Sequence, residues 1–360
     1  MSTKKENMEM EEEYKYMRRC IQLAQNGRCN AAPNPMVGAV IVCDGQIIGE
    51  GYHVRYGEPH AEVNAIRSVK TPSLLKRSTI YVSLEPCSHY GKTPPCADLI
   101  IEKQIPRIVI GCLDPFSEVA GRGIQKLKDA EREVIVGVLE EECKQLIQRF
   151  VTFHTLHRPY ITLKWAESTD GYLDIHREGG CPVVLSSPLT SMLVHKKRAE
   201  HSAIMVGTRT ALLDNPGLTV RHWYGRSPAR VVIDRYSALP PGLQLFDGSV
   251  PTLVFTEKPH EAVHNVEYIP IDYSQDTLQQ MLHALYEHGL QSLLVEGGSM
   301  LLQSFIDAGL WDEAFVEVAP VLLHSGVKAP QINDKMPFDV SQAFGRDFCH
   351  YKPKNKTDSI

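Results

Sequence analysis

The sequence has no run of about 18 apolar residues, which is roughly the length that a membrane-spanning helix requires. Its first residues, Met1 to Glu13, are rich in Lys and Glu and have no apolar core, unlike a secretory signal. The nine cysteines are odd in number and irregularly spaced, which argues against a disulfide framework. We therefore expect neither secretion nor membrane insertion, and a cytoplasmic chain with reduced thiols.

Basic residues are not in excess either. The 38 Lys and Arg are outnumbered by 43 Asp and Glu, giving a formal net charge of −5 at pH 7. Proteins that bind long nucleic acids neutralise many phosphates with basic side chains, so this balance argues against a nucleic-acid partner. The sequence also lacks an internal repeat and the GxGxxG fingerprint of a Rossmann dinucleotide site.

What the sequence does contain is typical of a folded globular protein. Hydrophobic residues make up 43% and charged residues 22% of the 360 positions, a length that exceeds what one core usually supports. We predict two domains, 1–155 with an ordered core from about residue 11, and 156–360. Strands alternate with helices in both, which predicts an α/β fold with a largely parallel sheet in the first domain. The polar tail beyond Asp347 is expected to fray.

Hydrophobic periodicity and turn residues place the individual elements. An Asp44-Gly45 pair between two apolar runs predicts a tight β-hairpin. The predicted helices cover 11–27, 60–69, 96–103, 191–199 and 277–288, and a further helix begins at 299. The predicted strands cover 36–42, 46–52, 78–84, 105–112, 160–165, 203–206, 230–233, 252–255, 268–271, 292–295 and 314–323.

Four residues carry the most specific chemical pattern. His60 and Glu62 open a predicted helix, Cys87 follows a predicted strand, and Cys96 begins the next helix. One imidazole and two thiolates are the three protein ligands of a catalytic zinc, which keeps its fourth position for water and lowers that water's pKa. Glu62 is placed to move protons as general base and acid without binding the metal. Each residue alone is more often structural, but the combination is typical of a zinc deaminase.

Three longer segments extend this pattern: PNPMVGAV at 33–40, GEPHAEV at 57–63 and LEPCSHYGKTPPC at 84–96. With them, nearly the whole chain resembles the bifunctional riboflavin biosynthesis deaminase/reductase family. Eight residues separate Cys87 from Cys96, whereas transfer-RNA adenosine deaminases and cytidine deaminases usually have two. The resemblance implies a cytidine-deaminase-like three-layer sandwich followed by a dihydrofolate-reductase-like domain, and a homo-oligomer, either a dimer or a tetramer.

The resemblance also implies the reactions. The N-terminal domain would remove an amino group from 2,5-diamino-6-ribosylamino-4(3H)-pyrimidinone 5′-phosphate with the help of Zn²⁺. The C-terminal domain would then reduce the ribosyl chain to ribityl with NADPH. Asn34, His53, Lys92 and Asp114 match the family's positions that contact the deaminase substrate. The amide and imidazole can hydrogen-bond a pyrimidinone edge, and the ammonium of Lys92 suits a phosphate.

In the second domain, Glu296-Gly297-Gly298-Ser299 lies between a predicted strand and a predicted helix, where main-chain N–H groups can meet a pyrophosphate. The family resemblance assigns substrate contacts to Arg198, Leu218, Arg221 and Glu296. Lys164 and Glu296 are the polar groups expected nearest the sugar carbonyl. Cofactor contacts are assigned to Ala166, Thr210, Asp214, Gly298, Ser299, Met300, Leu301, Leu302, Gln303 and Ser304.

The chain departs from the family's pattern in three reductase segments. Pro182 to Ser186 lacks the aromatic residue of the family's Ser-x-Trp motif, Tyr172 replaces a basic residue after Asp170-Gly171, and His324-Ser325-Gly326 replaces a Gly-Gly pair. Two other functions stay open from the sequence: a nucleoside or transfer-RNA deaminase fused to an inactive reductase-like domain, and a non-enzymatic nucleotide-binding regulator with a structural zinc.

Overall fold

The computed structural model describes residues 2–90, 94–114, 121–258, 260–261, 263–332 and 336–353, without the side chains of 2–9. The chain separates into two compact units, Met1–Leu156 and His157–Ile360. Each unit has hydrophobic clusters of its own on both faces of a β-sheet. Both units are α/β, as the alternation of strands and helices predicted. No helix in the described part of the chain is both long and apolar enough to cross a membrane.

The strands of the first unit form one five-stranded sheet in the order β2-β1-β3-β4-β5. Its elements, in chain order, are α1 (Ser2–Gln25), β1 (Gly38–Cys43), β2 (Gln46–Tyr52), α2 (Ala61–Ser68), a 3₁₀ helix (Pro72–Arg77), β3 (Thr79–Leu84), α3 (Cys96–Glu102), β4 (Arg107–Cys112), α4 (Arg122–Asp129), β5 (Glu133–Val136) and α5 (Glu140–Leu156). The prediction of a largely parallel sheet is only half right, because β1 is antiparallel to both of its neighbours. The remaining pairs, β3 with β4 and β4 with β5, are parallel.

Both faces of this sheet are covered by helices. On β1, Ala39 and Ile41 point to one face and pack with residues of α2, α3 and α4. Val40 and Val42 point to the other face and pack with residues of α1 and α5. Alternate residues of a strand face opposite sides, so one buried strand supplies two cores. The result is the three-layer sandwich expected for this unit.

The second unit is built on a nine-stranded sheet in the order β11-β10-β9-β8-β12-β6-β13-β16-β15, with β7 and β14 as a separate pair. Its elements are β6 (Tyr160–Ser168), β7 (Tyr172–Asp174), α6 (Pro188–Ala199), β8 (Ala203–Val206), α7 (Thr208–Asp214), β9 (Ala229–Ile233), a 3₁₀ helix (Gln244–Phe246), β10 (Thr252–Thr256), β11 (Val266–Pro270), α8 (Thr277–Glu287), β12 (Ser292–Gly297), α9 (Ser299–Asp307), β13 (Glu313–Ala319), β14 (Val327–Lys328), β15 (Asp339–Ala343) and β16 (Arg346–Tyr351). In this spatial order, the seven strands β11, β10, β9, β8, β12, β6 and β13 are parallel to one another. Within the described part of this sheet, only the pairings of β13 with β16 and of β16 with β15 are antiparallel.

Two predictions about the ends of the chain are wrong. The tail beyond Asp347 does not fray at once, because β16 pairs with β13 and its residues Cys349 and Tyr351 pack against the hydrophobic core. At the other end, α1 begins at Ser2 rather than at residue 11. Both segments are rich in polar residues, and in the C-terminal one the apolar contacts are made by alternate residues of a strand near the sheet edge.

Parallel strands bring the candidate sites together at their carboxyl ends. In the first unit, the chain leaves β3 toward Cys87 and leaves β4 toward Asp114, at the same edge of the sheet. In the second unit, the ends of β6, β8 and β12 lie side by side. Ligands of open α/β sheets bind at this edge.

Candidate active sites

Three of the predicted side chains form a metal-binding cluster. His60 is the N-cap of α2, Cys87 follows β3, and Cys96 is the first residue of α3. Their ligand atoms all lie within 4.8 Å of one another, and no second cluster of this kind occurs among the described residues. The His60 Nδ1 atom is 3.6 Å from Cys87 Sγ and 3.4 Å from Cys96 Sγ.

These distances fit a tetrahedral zinc. Zn–S bonds of about 2.3 Å and Zn–N bonds of about 2.0–2.1 Å at a tetrahedral angle separate nitrogen from sulfur by about 3.6 Å. The pKa of the Cys87 thiol is lowered because the Cys96 thiol and His60 donate hydrogen bonds to its thiolate. The main-chain N–H of Cys96 also donates to Cys87 Sγ, at 3.3 Å. The three residues therefore form a set of the type and spacing that zinc takes, with a thiolate already favoured.

Glu62 lies beside this cluster on the first turn of α2. Its side chain is buried, with 3% of the residue exposed. Burial, together with the charge of the neighbouring Cys87 thiolate, raises its pKa to about 7. A carboxyl group with a pKa near the working pH can both accept and return a proton.

Asn34 and His53 are brought together next to the metal cluster. The His53 ring is buried and lies 5.5 Å from the His60 ring between centroids. Its Nδ1 is 3.2 Å from the Pro59 carbonyl oxygen and its Nε2 is 3.1 Å from Asn34 Nδ2. Because a carbonyl oxygen only accepts, Nδ1 must donate, and Nε2 then accepts from the Asn34 amide. Burial lowers the pKa of His53, which favours this neutral form.

The other two predicted substrate residues are less well defined. Lys92 lies outside the described residues. Asp114 follows β4, and its main-chain N–H donates to Glu85 Oε2 at 3.4 Å. Glu85 was missed by the sequence analysis. It is buried and also accepts from the main-chain N–H groups of Gly121 and Gly123, so it holds the start of α4 against the Pro86-Cys87 segment.

In the second unit, Arg198 and Glu296 form a bidentate ion pair. Arg198 Nε donates to Glu296 Oε1 at 2.9 Å and Nη2 donates to Oε2 at 2.6 Å. Burial would raise the Glu296 pKa, but the charges of Arg198 and Lys164 overcome it and the pKa is lowered. Burial lowers the pKa of Lys164, against the charges of Glu296 and Glu317. A carboxylate, an ammonium and a guanidinium thus interact where the end of β12 lies beside the middle of β6.

Of the predicted cofactor residues, Thr210 lies close to the glycines at the start of α9, and Gly298 to Ser304 belong to that start and to the helix itself. Gly298 is its N-cap and has φ 82°, a conformation that favours glycine. A Cβ at Gly297 would lie 2.9 Å from Thr210 Cγ2, so these two segments are in close contact. The Ser299 hydroxyl donates to the Lys328 carbonyl at 2.6 Å. Asp214 pairs with Arg177, which also donates to Asp174 Oδ2 at 2.6 Å, a neighbour that the sequence did not reveal.

Several predicted contact residues can be placed by their burial. Leu218, Leu301 and Leu302 are buried in hydrophobic clusters, so we expect any ligand contact from them to come through the main chain. Met300 is 87% exposed. Ala166 lies on β6 and Gln303 and Ser304 on α9, where Gln303 Nε2 donates to Asp307 and the Ser304 hydroxyl donates to Leu301. The guanidinium of Arg221 is exposed, and Nη1 lies 3.3 Å from the Thr219 hydroxyl.

The segment at 182–186, where the family aromatic is missing, is held by side chains of β13 and β16. Glu317 is 2% exposed and accepts from the Ser186 hydroxyl at 2.6 Å and the Thr190 hydroxyl at 2.8 Å. Arg346 on β16 pairs with Glu317 at 2.9 Å and donates to the Leu185 carbonyl. Val184, at the family's aromatic position, is 82% exposed.

Comparison with known families matches both units. Residues 10–112 match the cytidine and deoxycytidylate deaminase zinc-binding region. Residues 159–349 match the RibD C-terminal domain. The two family models cover the metal cluster and the predicted reductase residues respectively.

Whole-chain relatives agree with this division. Riboflavin biosynthesis protein RibD of Aquifex aeolicus is 38% identical over 317 residues, covering 87% of this chain and 88% of the relative. RibD of Escherichia coli is 38% identical over 337 residues, covering 89% and 90%. A crystal structure of a diaminohydroxyphosphoribosylaminopyrimidine deaminase/5-amino-6-(5-phosphoribosylamino)uracil reductase from Thermotoga maritima superposes with a TM-score of 0.87 at 38% identity, covering 96% and 100%.

This agreement confirms the predicted fold of each unit and the predicted relationship. The chain belongs to the RibD family of riboflavin biosynthesis proteins, with a deaminase domain followed by a reductase domain.

Proposed function

We propose that the first unit binds one Zn²⁺ through His60, Cys87 and Cys96 and deaminates 2,5-diamino-6-ribosylamino-4(3H)-pyrimidinone 5′-phosphate. The observation that carries this proposal is the convergence of the three ligand atoms within 4.8 Å, with buried Glu62 beside them. A zinc ion held by these three residues would supply an activated water, the nucleophile that hydrolytic deamination requires at the carbon that bears the amine. The substrate is proposed from the relatives' names and from the chain's resemblance to them.

The side chains around the cluster then have separate tasks. Glu62 takes a proton from the attacking water and returns it to the departing amine, for which its pKa of about 7 is suited. The Asn34 side chain, fixed through one N–H by His53, presents its remaining polar atoms to the pyrimidinone edge. Lys92 and Asp114 are proposed as further substrate contacts, with the Lys92 ammonium on the phosphate.

We propose that the second unit reduces the ribosyl chain of the deaminated product with NADPH, which supplies the hydride. Lys164 would polarise the sugar carbonyl with its ammonium, Glu296 would orient the sugar as a hydrogen-bond acceptor, and Arg198 and Arg221 would bind the phosphate end. The start of α9 would hold the pyrophosphate, because Gly298 leaves main-chain N–H groups accessible there. The contacts assigned to Ala166, Thr210, Asp214, Leu218 and residues 299–304 belong to the same proposal.

One coupled assay tests both steps. The diaminopyrimidinone phosphate is offered with NADPH or with NADH, and ammonia release and cofactor oxidation are followed separately. We expect ammonia release first and faster oxidation of NADPH than of NADH. A chelator should abolish ammonia release while NADPH-dependent reduction of the deaminated intermediate continues. Deamination by the metal-free protein would contradict the zinc assignment.

The same assay separates the alternatives. Cytidine and transfer RNA are supplied as competing substrates, and we expect no turnover of either. Release of ammonia from one of them without reduction of any product would instead favour a nucleoside or transfer-RNA deaminase with an inactive second domain. Absence of turnover with every substrate would favour the regulator.

We also infer a homo-oligomer in the cytoplasm, acting on a small phosphorylated pyrimidine rather than on nucleic acid. The edge strand β15 supports self-association, because Phe338, Val340 and Phe344 expose apolar surface along it. The odd number and irregular spacing of the nine cysteines support a reducing compartment. Light scattering coupled to gel filtration tests the assembly, and a monomeric mass would contradict it.

A further inference from the structure

His195 lies within the proposed reductase site but has no role assigned so far. It is on α6, three residues before Arg198, so both side chains lie on the same face of the helix. Only 3% of the residue is exposed. Its ring meets the ring of His222 edge-on, with the centroids 4.8 Å apart.

The hydrogen bonds of His195 define which nitrogen carries its proton. The main-chain N–H of Arg221 donates to His195 Nδ1 at 3.1 Å. An N–H group cannot accept, so Nδ1 must hold a lone pair and the neutral ring must carry its proton on Nε2. Burial, together with the charges of Arg198 and Arg221, lowers the pKa of His195 to about 4. The ring is therefore neutral at pH 7 and remains an acceptor.

The same helix holds the Arg221 segment at a second point. Arg198 Nη1 donates to the main-chain carbonyl of Thr219 at 3.3 Å, two residues before the His195 contact. Both contacts involve main-chain atoms of the 219–221 segment, so α6 fixes its path and not merely one side chain. Since Arg198 belongs to α6 and Arg221 to the segment, these bonds set the distance between the two arginines.

We propose that His195 is a positioning residue, which fixes the main chain of Arg221 so that the Arg221 guanidinium meets the phosphate of the reductase substrate. This proposal rests on the reductase function proposed above. The guanidinium itself is exposed and its Nη1 lies 3.3 Å from the hydroxyl of Thr219 in the same segment, so its placement depends on the main chain that carries it. A phosphate bound between two arginines requires both at fixed positions.

The test uses the full chain with 5-amino-6-(5-phosphoribosylamino)uracil and NADPH. Replacing His195→Ala removes the acceptor, and we expect KM for this substrate to rise about tenfold with kcat changed less than about threefold, as for the loss of one hydrogen bond. His195→Asn keeps an acceptor oxygen near the position of Nδ1 and should restore most of the affinity. His222→Ala removes the neighbouring ring but not the bond, so it serves as the matched control. Ammonia release by the first unit reports that each variant is folded and active.

A double-mutant cycle with Arg221→Ala tests whether His195 acts through Arg221. In the Arg221→Ala background, we expect His195→Ala to cause little further rise in KM. An equal tenfold rise in that background, or an Asn variant as weak as the Ala variant, would overturn the proposal.

Amide hydrogen exchange at Arg221 makes the test independent of turnover. The exchange rate should increase in His195→Ala and return toward the wild-type rate in His195→Asn. Unchanged exchange in His195→Ala would overturn the positioning role even if reduction proceeds normally. A wild-type protein with a protected Arg221 amide but no reduction would instead contradict the proposed reductase function.

Discussion

Glu62 is the residue on which the deaminase chemistry depends most directly. Its carboxyl group is buried beside two thiols and an imidazole, an environment that raises its pKa into the range where it can take and return protons. The amide of glutamine has nearly the same shape but cannot accept a proton at neutral pH.

Glu62→Gln is therefore expected to lower kcat for deamination by about 10²–10⁴-fold, the usual contribution of a general acid and base. Zinc content, measured by atomic absorption, should not change, because Glu62 is not a ligand. Glu102→Gln makes the same change at an exposed position and is the matched control. Full activity in Glu62→Gln would contradict the assigned role.

His195 should make the free energy of unfolding of the second unit depend on pH. Its pKa is about 4 in the folded chain, against about 6.5 for an unperturbed histidine. Between these values the unfolded state binds more protons, so the free energy of unfolding should decrease as the pH falls from about 6.5 to about 4. His195→Asn does not titrate and should lack this part of the pH dependence.

Urea unfolding at several pH values measures the difference through tryptophan fluorescence, since Trp165, Trp223 and Trp311 all lie in the second unit. Identical slopes for the two proteins would contradict the prediction.

At the scale of single elements, the start of α4 depends on a side chain from another segment. Glu85 accepts hydrogen bonds from the main-chain N–H groups of Asp114, Gly121, Gly123 and Ile124. The last three of these groups lie at the start of α4, where main-chain N–H groups have no partner within the helix itself. A Cβ at Gly123 would lie 2.2 Å from the Pro86 carbonyl oxygen, so the helix also approaches the Cys87 segment very closely.

Glu85→Ala should therefore destabilise α4 by about 1.5–3 kcal/mol, the range for hydrogen bonds to a charged group. Amide hydrogen exchange within Arg122–Asp129 should become faster, and deamination should weaken because the Cys87 segment loses its support. Glu85→Gln keeps one acceptor oxygen and should fall between wild type and Glu85→Ala. Unaltered exchange in α4 would show that the carboxylate does not hold the helix.

A second long-range contact supports α6. Arg346 pairs with buried Glu317, which in turn accepts from Ser186 and from Thr190 in the capping box of α6. Removing one partner of a buried ion pair leaves an uncompensated charge, at a cost on the order of 3 kcal/mol.

Arg346→Ala is thus expected to lower the free energy of unfolding of the second unit by about 3 kcal/mol. It should also raise KM for the reductase substrate, because α6 carries Arg198. Tryptophan fluorescence in urea measures the first effect. Ammonia release should be unaffected and is the internal control. Arg346→Lys keeps the positive charge but not the planar set of guanidinium donors, so both effects should be smaller than in Arg346→Ala.

The sequence predicted what short motifs encode. His60, Glu62, Cys87 and Cys96 fall within two segments that fold locally, and the Asp44-Gly45 turn has φ of 51° and 73°, as a tight hairpin requires. The sequence did not reveal the hydrogen bond between Ser186 and Glu317 or the ion pair between Arg177 and Asp214, because no local pattern relates residues so far apart in the chain. The short elements α4, β5 and β7 were also missed, since few residues give little periodicity.

The molecule as a whole should respond to metal removal in one part only. Each unit has its own hydrophobic clusters, and the metal cluster belongs to the first. A structural or catalytic metal stabilises the folded state that binds it.

A chelator is therefore expected to lower the unfolding temperature of the first unit, observed by calorimetry, together with the loss of ammonia release. The unfolding temperature measured by tryptophan fluorescence should not change, because all three tryptophans are in the second unit. Addition of zinc should reverse both changes. A fluorescence transition that moves with chelation would show that the metal also stabilises the reductase unit.

The strand orders of the two sheets imply that the sheets form at different stages of synthesis on the ribosome. In the first unit neighbouring strands follow one another closely along the chain, so the sheet can close as soon as β5 and α5 have emerged. In the second unit, β6 is made first but lies between β12 and β13, which begin at Ser292 and Glu313. Its apolar residues must wait for more than a hundred further residues before they find their partners. The nascent reductase domain is therefore the part of the chain that needs protection from aggregation while translation continues.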